Sequence, residues 1–315
     1  MQKRVKSIFL LLTWLTIIPL QATELYFNHS GNQFNYQWQD HNNQPQNLSF
    51  SVNKKHLHQL FRTFKTYRPA LANHYLYMKL QAELPQYQSR YTQIKLNKLG
   101  EQVQIKIKTR DTTEFHEIHQ KISQLRLDIL NQYLANHYYT EFTDRFAQAY
   151  VKPDHIRIAQ QALPLFDDIV AQAQDNLRNM SSRDIINYYL SWIQSIPYST
   201  LDNRVTSHGA GFSPPNRLLM ENQGDCDSKS TLFISLMRAL FARLNLVMVY
   251  LPNHALVGLQ LGHSQQDEYI SLDGIDYVLA EPTGPGLFKL GEIAEDSKRD
   301  IRAGRFSIEE LPVNF

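Results

Sequence analysis

GDCDSKS, residues 224–230, is followed by apolar residues at helical spacing, and this stretch decides the fold of the chain. The apolar set is Leu232, Leu236, Leu240 and Leu244, with Phe233, Met237 and Phe241 beside them. Repetition at three and four positions predicts a buried helix. Asp225 suits its N-cap, because an Asp side chain accepts from the free amides of a first turn. Cys226 therefore lies at the start of this helix.

Cys226 is the single cysteine among 315 residues, so it cannot form an intramolecular disulfide. A lone thiol is either buried and inert or retained for its reactivity. At a helix start, free N–H groups and the helix dipole stabilise an anion, so we expect a thiol pKa below the usual value of about 8.5. The thiolate is the nucleophilic form, and the position favours a nucleophile. Gly224 is expected to permit a tight turn into the helix.

Short apolar runs after the helix predict an antiparallel sheet. The predicted strands are 246–251, 254–261, 268–272 and 275–280. His254 begins the second strand, 28 positions after Cys226. Asp273-Gly274 is a strong hairpin signal between the last two. Glu281 follows the final strand, so a cysteine, a histidine and a carboxylate come in order along the chain.

This ordered trio resembles the transglutaminase-like superfamily. The matching pieces are Gly224-Asp225-Cys226, His254-Ala255 and Glu281-Pro282-Thr283, within about residues 180–290. The resemblance implies an α+β fold with a papain-like core, in which Cys226 attacks a carbonyl and forms a thioester. It also implies that His254 moves the proton and that Glu281 orients the imidazole ring. Two departures are visible: the family's acid is usually Asp, and Leu256 replaces an aromatic residue after His-Ala.

Three carboxylates compete for the third position of the triad: Asp273, Asp276 and Glu281. Asp273 belongs to the predicted turn, where Asp is favoured for its backbone conformation. Asp276 and Glu281 are five positions apart, so on a regular strand they face opposite sides. Glu281 shares its face with an apolar set expected to pack toward the cysteine helix, namely Ile275, Tyr277 and Leu279. We therefore predict the acid to be Glu281. Gln223 and the Cys226 N–H are candidate oxyanion donors.

The N-terminal half predicts a small α+β domain over 23–145, and the catalytic domain is expected over 150–315. The pattern of the N-terminal half predicts two hairpins, a helical stretch interrupted at Pro69 and a long helix from Glu114 to about Tyr150. His116 and His119 resemble a zinc-binding motif, but they are three positions apart and a zincin needs a spacing of four. No metal and no cofactor is therefore expected. The role of this domain is not evident from the sequence.

Residues 1–22 are predicted to be a signal peptide cleaved near Ala22. Lys3, Arg4 and Lys6 form a basic head, and a short apolar run follows. That run is short for a transmembrane helix, so no stable membrane anchor is expected. Without the three basic residues the formal charge falls from +2 to −1. A near-neutral surface without basic runs argues against nucleic acid as a partner.

The sequence therefore predicts a periplasmic or secreted thiol hydrolase, a peptidase or amidase, with a peptide or protein substrate. An acyl transferase of the transglutaminase type would use the same triad and pass the thioester to an amine. A non-catalytic binding or assembly protein that keeps the fold is the third alternative. The reactivity of the thiol separates that last class from the two enzymes. Nothing in the sequence indicates an oligomeric state.

Overall fold

A computed structural model describes residues 23–100, 102–143, 147–176, 178–201 and 211–313. The predicted signal peptide, residues 1–22, lies outside these ranges. The fold is α+β, and its sheets are antiparallel, as expected. Across the described ranges no helix is both long and apolar enough to cross a membrane.

The described residues of the first half of the chain form three small antiparallel sheets and three helices. Its strands are β1 (Glu24–Ser30), β2 (Gln33–Gln39), β3 (Pro45–Ser51), β4 (Gln93–Leu99), β5 (Gln102–Lys108), β6 (Tyr139–Thr143) and β7 (Ala149–Pro153). Its helices are α1 (Lys54–Gln59), α2 (Pro69–Glu83) and α3 (Thr112–Asn136), with a 3-10 turn at Leu84–Tyr87. β1–β3 form one sheet, while β4–β5 and β6–β7 are hairpins. Pro69 opens α2, where its missing N–H costs nothing.

The second half packs helices against a five-stranded antiparallel sheet in the order β10-β11-β9-β8-β12. The helices are α4 (His155–Gln161), α5 (Asp167–Asn176), α6 (Ser182–Ser195), α7 (Pro215–Glu221), α8 (Cys226–Leu240) and α9 (Glu295–Arg302), with a 3-10 turn at Leu163–Phe166. The strands are β8 (Leu246–Leu251), β9 (His254–Leu259), β10 (Tyr269–Leu272), β11 (Ile275–Ala280) and β12 (Ser307–Leu311). Asp273 and Gly274 have φ of +49° and +80°, which suits a tight hairpin turn.

The long helix predicted from Glu114 to Tyr150 ends much earlier, at Asn136. Tyr138 has a positive φ of +61°, which turns the chain out of the helix. The aromatic residues that follow form the hairpin β6–β7, because aromatic side chains pack well on a pleated surface. The prediction mistook this hairpin for helix.

The hydrophobic core divides the chain differently from the boundaries predicted at 23–145 and 150–315. One core joins the inner face of β1–β3 to α6 and α8. Trp38 of β2 donates from Nε1 to Ser191 Oγ at 2.9 Å, and Tyr36 packs edge-on against Trp192 at 5.2 Å between ring centroids. A separate core lies between α2, α3 and the β4–β5 hairpin. The β1–β3 sheet thus packs as part of the second half, whereas the α2–α3 region has a core separate from it.

Lys229 is fully buried in the first turns of α8. Its Nζ donates to the Ile196 carbonyl and, at 3.4 Å, to the Gln194 carbonyl. These are free carbonyls at the end of α6, which need donors because the helix supplies none. Burial lowers the pKa of Lys229 to about 7. A neutral amine still has two N–H groups for the two carbonyls.

Replacement of Lys229 by Met should remove a pH dependence of stability. Between about pH 7 and the ordinary lysine value of 10.5, the unfolded chain holds the Lys229 proton and the folded chain does not. The free energy of unfolding therefore rises with pH there, by up to about 1.4 kcal/mol per pH unit from this group. Lys229→Met should lose that rise in urea titrations at several pH values. Lys121→Met, on the exposed face of α3, is the control and should keep it.

Candidate functional site

The site begins at the buried first turn of α8, which Asp225 caps as predicted. Its Oδ1 accepts from Ser228 N at 2.9 Å and from the Ser228 hydroxyl. Ser228 Oγ in turn accepts from Ser213 N at 2.7 Å, so the chain entering from residue 211 is fastened to the same turn. Burial, followed by the nearby charge of Asp227, raises the pKa of Asp225 to about 7.

Gly224 is required by close packing and not by a tight turn. Its φ lies outside the left-handed region. A Cβ at this position would lie 2.7 Å from Leu218 Cδ1 of α7. Its N–H donates to Pro197 O at 3.2 Å, and its carbonyl accepts from Ser199 N at 3.1 Å. The segment before Cys226 is thus held between α7 and the end of α6.

The Cys226 thiol is half-buried and donates to Asp227 Oδ1 at 3.5 Å. Burial raises the pKa of the thiol, and the charges of Asp227 and Asp225 raise it further. The expectation of a lowered pKa from the helix start is therefore wrong for this structure. Carboxylates on both sides of the cysteine oppose the helix dipole, whose effect is modest beside burial.

His254 and Glu281 lie together as a hydrogen-bonded pair. His254 Nε2 donates to Glu281 Oε1 at 3.0 Å, and the Ala294 N–H donates to Oε2 at 2.8 Å. The Glu281 carbonyl accepts from Gln194 Nε2 at 2.8 Å. Glu281 is 5% exposed, so these contacts fix a buried carboxylate. An ionised carboxylate only accepts, which puts the hydrogen on Nε2 and leaves Nδ1 free to take a proton.

Tyr277 and Leu279 do not face the cysteine helix, contrary to our prediction for the face of β11 that they share with Glu281. Tyr277 and Leu279 pack in a core on the far side of the sheet, together with Ile293. Val278 and Ala280 pack in the core that contains α8. Glu281 still contacts His254, because it follows the last residue of β11 and β11 pairs with β9.

The competing carboxylates have other partners. Asp276 accepts from His263 Nε2 at 3.1 Å and from the Ser271 hydroxyl at 2.5 Å, on the exposed hairpin β10–β11. Asp273 occupies the first of the two positive-φ positions of the turn. Neither carboxylate contacts His254 among the described residues.

The start of α8 lies beside the start of β9. Ser230, one turn after Cys226, donates from Oγ to Ala255 O at 3.0 Å, and Ala255 follows His254 in the chain. Burial raises the pKa of Asp227, and the charge of His254 is among the smaller effects that oppose this rise. Within the ranges the structure describes, Cys226 Sγ makes no hydrogen bond to His254. The resting thiol is bound to Asp227 instead.

Four residues around the site were not predicted from sequence: Gln194, His41, Asp227 and His155. Gln194 joins α6 to Glu281, and its Oε1 accepts from His41 Nε2 at 3.0 Å. His155 Nε2 lies 3.7 Å from Asp227 Oδ2. Only Asp227 gave a local signal, as the neighbour of the cysteine. The other three approach the site across more than 70 residues of chain, which no local pattern records.

Comparison with known proteins gives no relative for this arrangement. No protein-family model, no curated protein and no solved structure matches the chain. In the described part of the chain no group of three or more His, Cys, Asp or Glu side chains is arranged to hold a metal ion.

Glu281→Gln should change which nitrogen of His254 carries the hydrogen. The amide oxygen can keep the Ala294 N–H, and its NH₂ group then faces His254 Nε2 as a donor. The ring must then accept at Nε2 and carry its hydrogen on Nδ1, which removes the free base. ¹⁵N shifts of the labelled imidazole should show protonated Nε2 in the wild type and protonated Nδ1 in the variant.

Asp273→Asn is the matched control, because Asn-Gly makes the same hairpin turn. It should leave the His254 shifts unchanged. An unaltered tautomer in Glu281→Gln would mean that Glu281 does not orient the ring in solution.

Proposed function

We propose that the chain is a periplasmic thiol-dependent hydrolase of amide or peptide bonds, of the transglutaminase-like kind with a papain-like core. The observation that carries the proposal is the hydrogen-bonded His254–Glu281 pair, whose carboxylate is buried, beside the start of the cysteine helix. A histidine held by a carboxylate, with its second nitrogen free, is the arrangement that acid–base catalysis with a nucleophile requires. Cys226 is the one thiol of the chain, and it lies at the start of that helix.

The chemistry follows from these groups. Cys226 sulfur attacks the carbonyl carbon, the C–N bond breaks, and the amine leaves with a proton, which gives a thioester on Cys226. Water then attacks the thioester, the C–S bond breaks, and the thiol is restored. His254 serves as an acid–base group, and Glu281 holds its ring in one tautomer.

Access to the reacting groups supports an extended substrate. Cys226 is half-buried, and the side chains of His254 and Asp227 are 23% and 34% exposed. A backbone amide can reach the half-buried thiol and the partly exposed imidazole from outside. Glu281, in contrast, is shielded from water by its contacts, as suits an orienting group.

A peptide-like electrophile should label the folded protein at Cys226 and nowhere else. Because the chain has one cysteine, intact mass assigns the adduct without ambiguity, and Cys226→Ala is the control that must lose it. With a panel of chromogenic peptide amides, Glu281→Gln should lower turnover by about 10²–10⁴-fold, the usual contribution of acid–base catalysis. Asp273→Asn should turn over like the wild type.

Products separate hydrolysis from acyl transfer. With an added primary amine, the proposed hydrolase releases the free acid, and a transferase would release a new amide. A folded protein that neither forms the adduct nor cleaves any amide would be a binding or assembly protein, and the proposal would fail.

A further inference from the structure

Asp227 is the group that holds the resting thiol, and its surroundings are unusual for a carboxylate. Its Oδ1 accepts from Cys226, and its Oδ2 lies 3.7 Å from Nε2 of His155 on α4. His155 is 1% exposed, and its Nε2 has no hydrogen-bond partner among the described residues. A buried ring nitrogen without a partner is costly.

The tautomer of His155 is determined by the contact that its other ring nitrogen, Nδ1, makes with Tyr250. Tyr250 donates its single hydrogen to Glu309 Oε2 at 2.6 Å, and Lys152 Nζ also donates to that oxygen at 2.6 Å. The Tyr250 oxygen must then accept from His155 Nδ1, 3.0 Å away. Burial and the charge of Lys152 lower the pKa of His155 well below its usual value, so the ring is neutral. A neutral ring with its hydrogen on Nδ1 has a bare lone pair at Nε2.

That lone pair points toward a carboxylate oxygen, so the contact is unfavourable while Asp227 is ionised. A protonated Asp227 would instead donate to Nε2 and satisfy it. The titratable and charged groups that act on Asp227 are Asp225 and Cys226 on its own turn, Lys152 of β7, His155 of α4, and Tyr250 and His254 on the sheet.

We propose that Asp227, backed by His155, accepts the Cys226 proton and so generates the nucleophile of the proposed hydrolase. The S–H bond breaks, its electron pair stays on sulfur, and an O–H bond forms on Asp227. A half-turn of the carboxyl group then directs its hydrogen to His155 Nε2. Cys226 and Asp227 together carry one negative charge before and after the proton transfer, so no new charge is created in the half-buried site.

The two acid–base groups then have separate tasks. Asp227 passes the thiol proton to the amine that leaves, as the thioester forms. His254 Nδ1 takes a proton from the water that attacks the thioester, and that proton returns to the sulfur as the C–S bond breaks. Asp227 touches the reacting sulfur and is a catalytic residue, whereas His155 acts through it and is a positioning residue. This assignment rests on the proposed function, since it needs Cys226 to be a nucleophile.

The rate of Cys226 alkylation as a function of pH tests the assignment. A thiol and an acceptor that share one proton contain a fixed fraction of thiolate, so the rate should be flat between the two macroscopic pKa values of the pair. In Asp227→Asn the plateau should vanish, and the rate should fall about tenfold for each pH unit below the thiol pKa. His254→Asn should keep the plateau. Asp276→Asn, which removes a carboxylate paired with the exposed His263, is the matched control and should also keep it.

Tyr250→Phe is a second variant that leaves Asp227 in place. Without the Tyr250 oxygen, His155 can carry its hydrogen on Nε2 and donate it to ionised Asp227, which weakens Asp227 as a proton acceptor. The plateau rate should drop at least severalfold, with the lower macroscopic pKa moved down. A purely structural role for His155 would leave that pKa unchanged.

A plateau that persists in Asp227→Asn, or that disappears in His254→Asn, would overturn the assignment and return the thiol proton to His254, with the proposed hydrolase intact. A wild-type profile without a plateau would overturn it as well. If the folded wild type resists alkylation at every pH, the nucleophile itself is wrong, and the proposed function fails together with this inference.

Discussion

The rest of the structure depends on the capped and buried first turns of α8. Asp225 closes the turn onto Ser228, and Ser228 fastens the incoming loop through Ser213. One residue on, Lys229 ties the end of α6 to the helix, and Ser230 ties the start of β9. Each polar group is buried, so each must find a partner or cost free energy. Together they set where the cysteine, the histidine and the sheet lie.

The same burial determines the electrostatics of the thiol. A helix start alone favours a thiolate, but the sequence flanks Cys226 with an Asp on either side, and both are held near it by the capped turn. Burial penalises the thiolate and both carboxylates alike, so it raises the pKa of Cys226 and of the two Asp residues beside it. Formation of a thiolate there requires a proton acceptor that leaves the total charge of the site unchanged, and a neighbouring carboxylate is such an acceptor.

Two polar networks support the site from opposite sides, and both include residues of the first half of the chain. His41, from the turn after β2, reaches Glu281 through Gln194. Lys152 of β7 and His155 of α4 reach Asp227 through the contacts around Tyr250 and Glu309. The β1–β3 sheet also shares its core with α6 and α8. The first half is therefore part of the scaffold that holds the site, and not a separate appendage to it.

The sequence by itself determined what depends on neighbours in the chain: the capped helix at Cys226, the Asp273-Gly274 hairpin and the strand that begins at His254. Glu281 was predicted from strand alternation together with the family resemblance, and the alternation indicated the wrong face, because alternation along a strand does not say which layer covers each face. Only the tertiary structure decided the burial of Lys229, the partner of the thiol and the contact of His155 with Asp227. All three features depend on groups that are brought together across long stretches of chain. The desolvation of those groups outweighs local preferences, such as the lowering of a thiol pKa by the start of a helix.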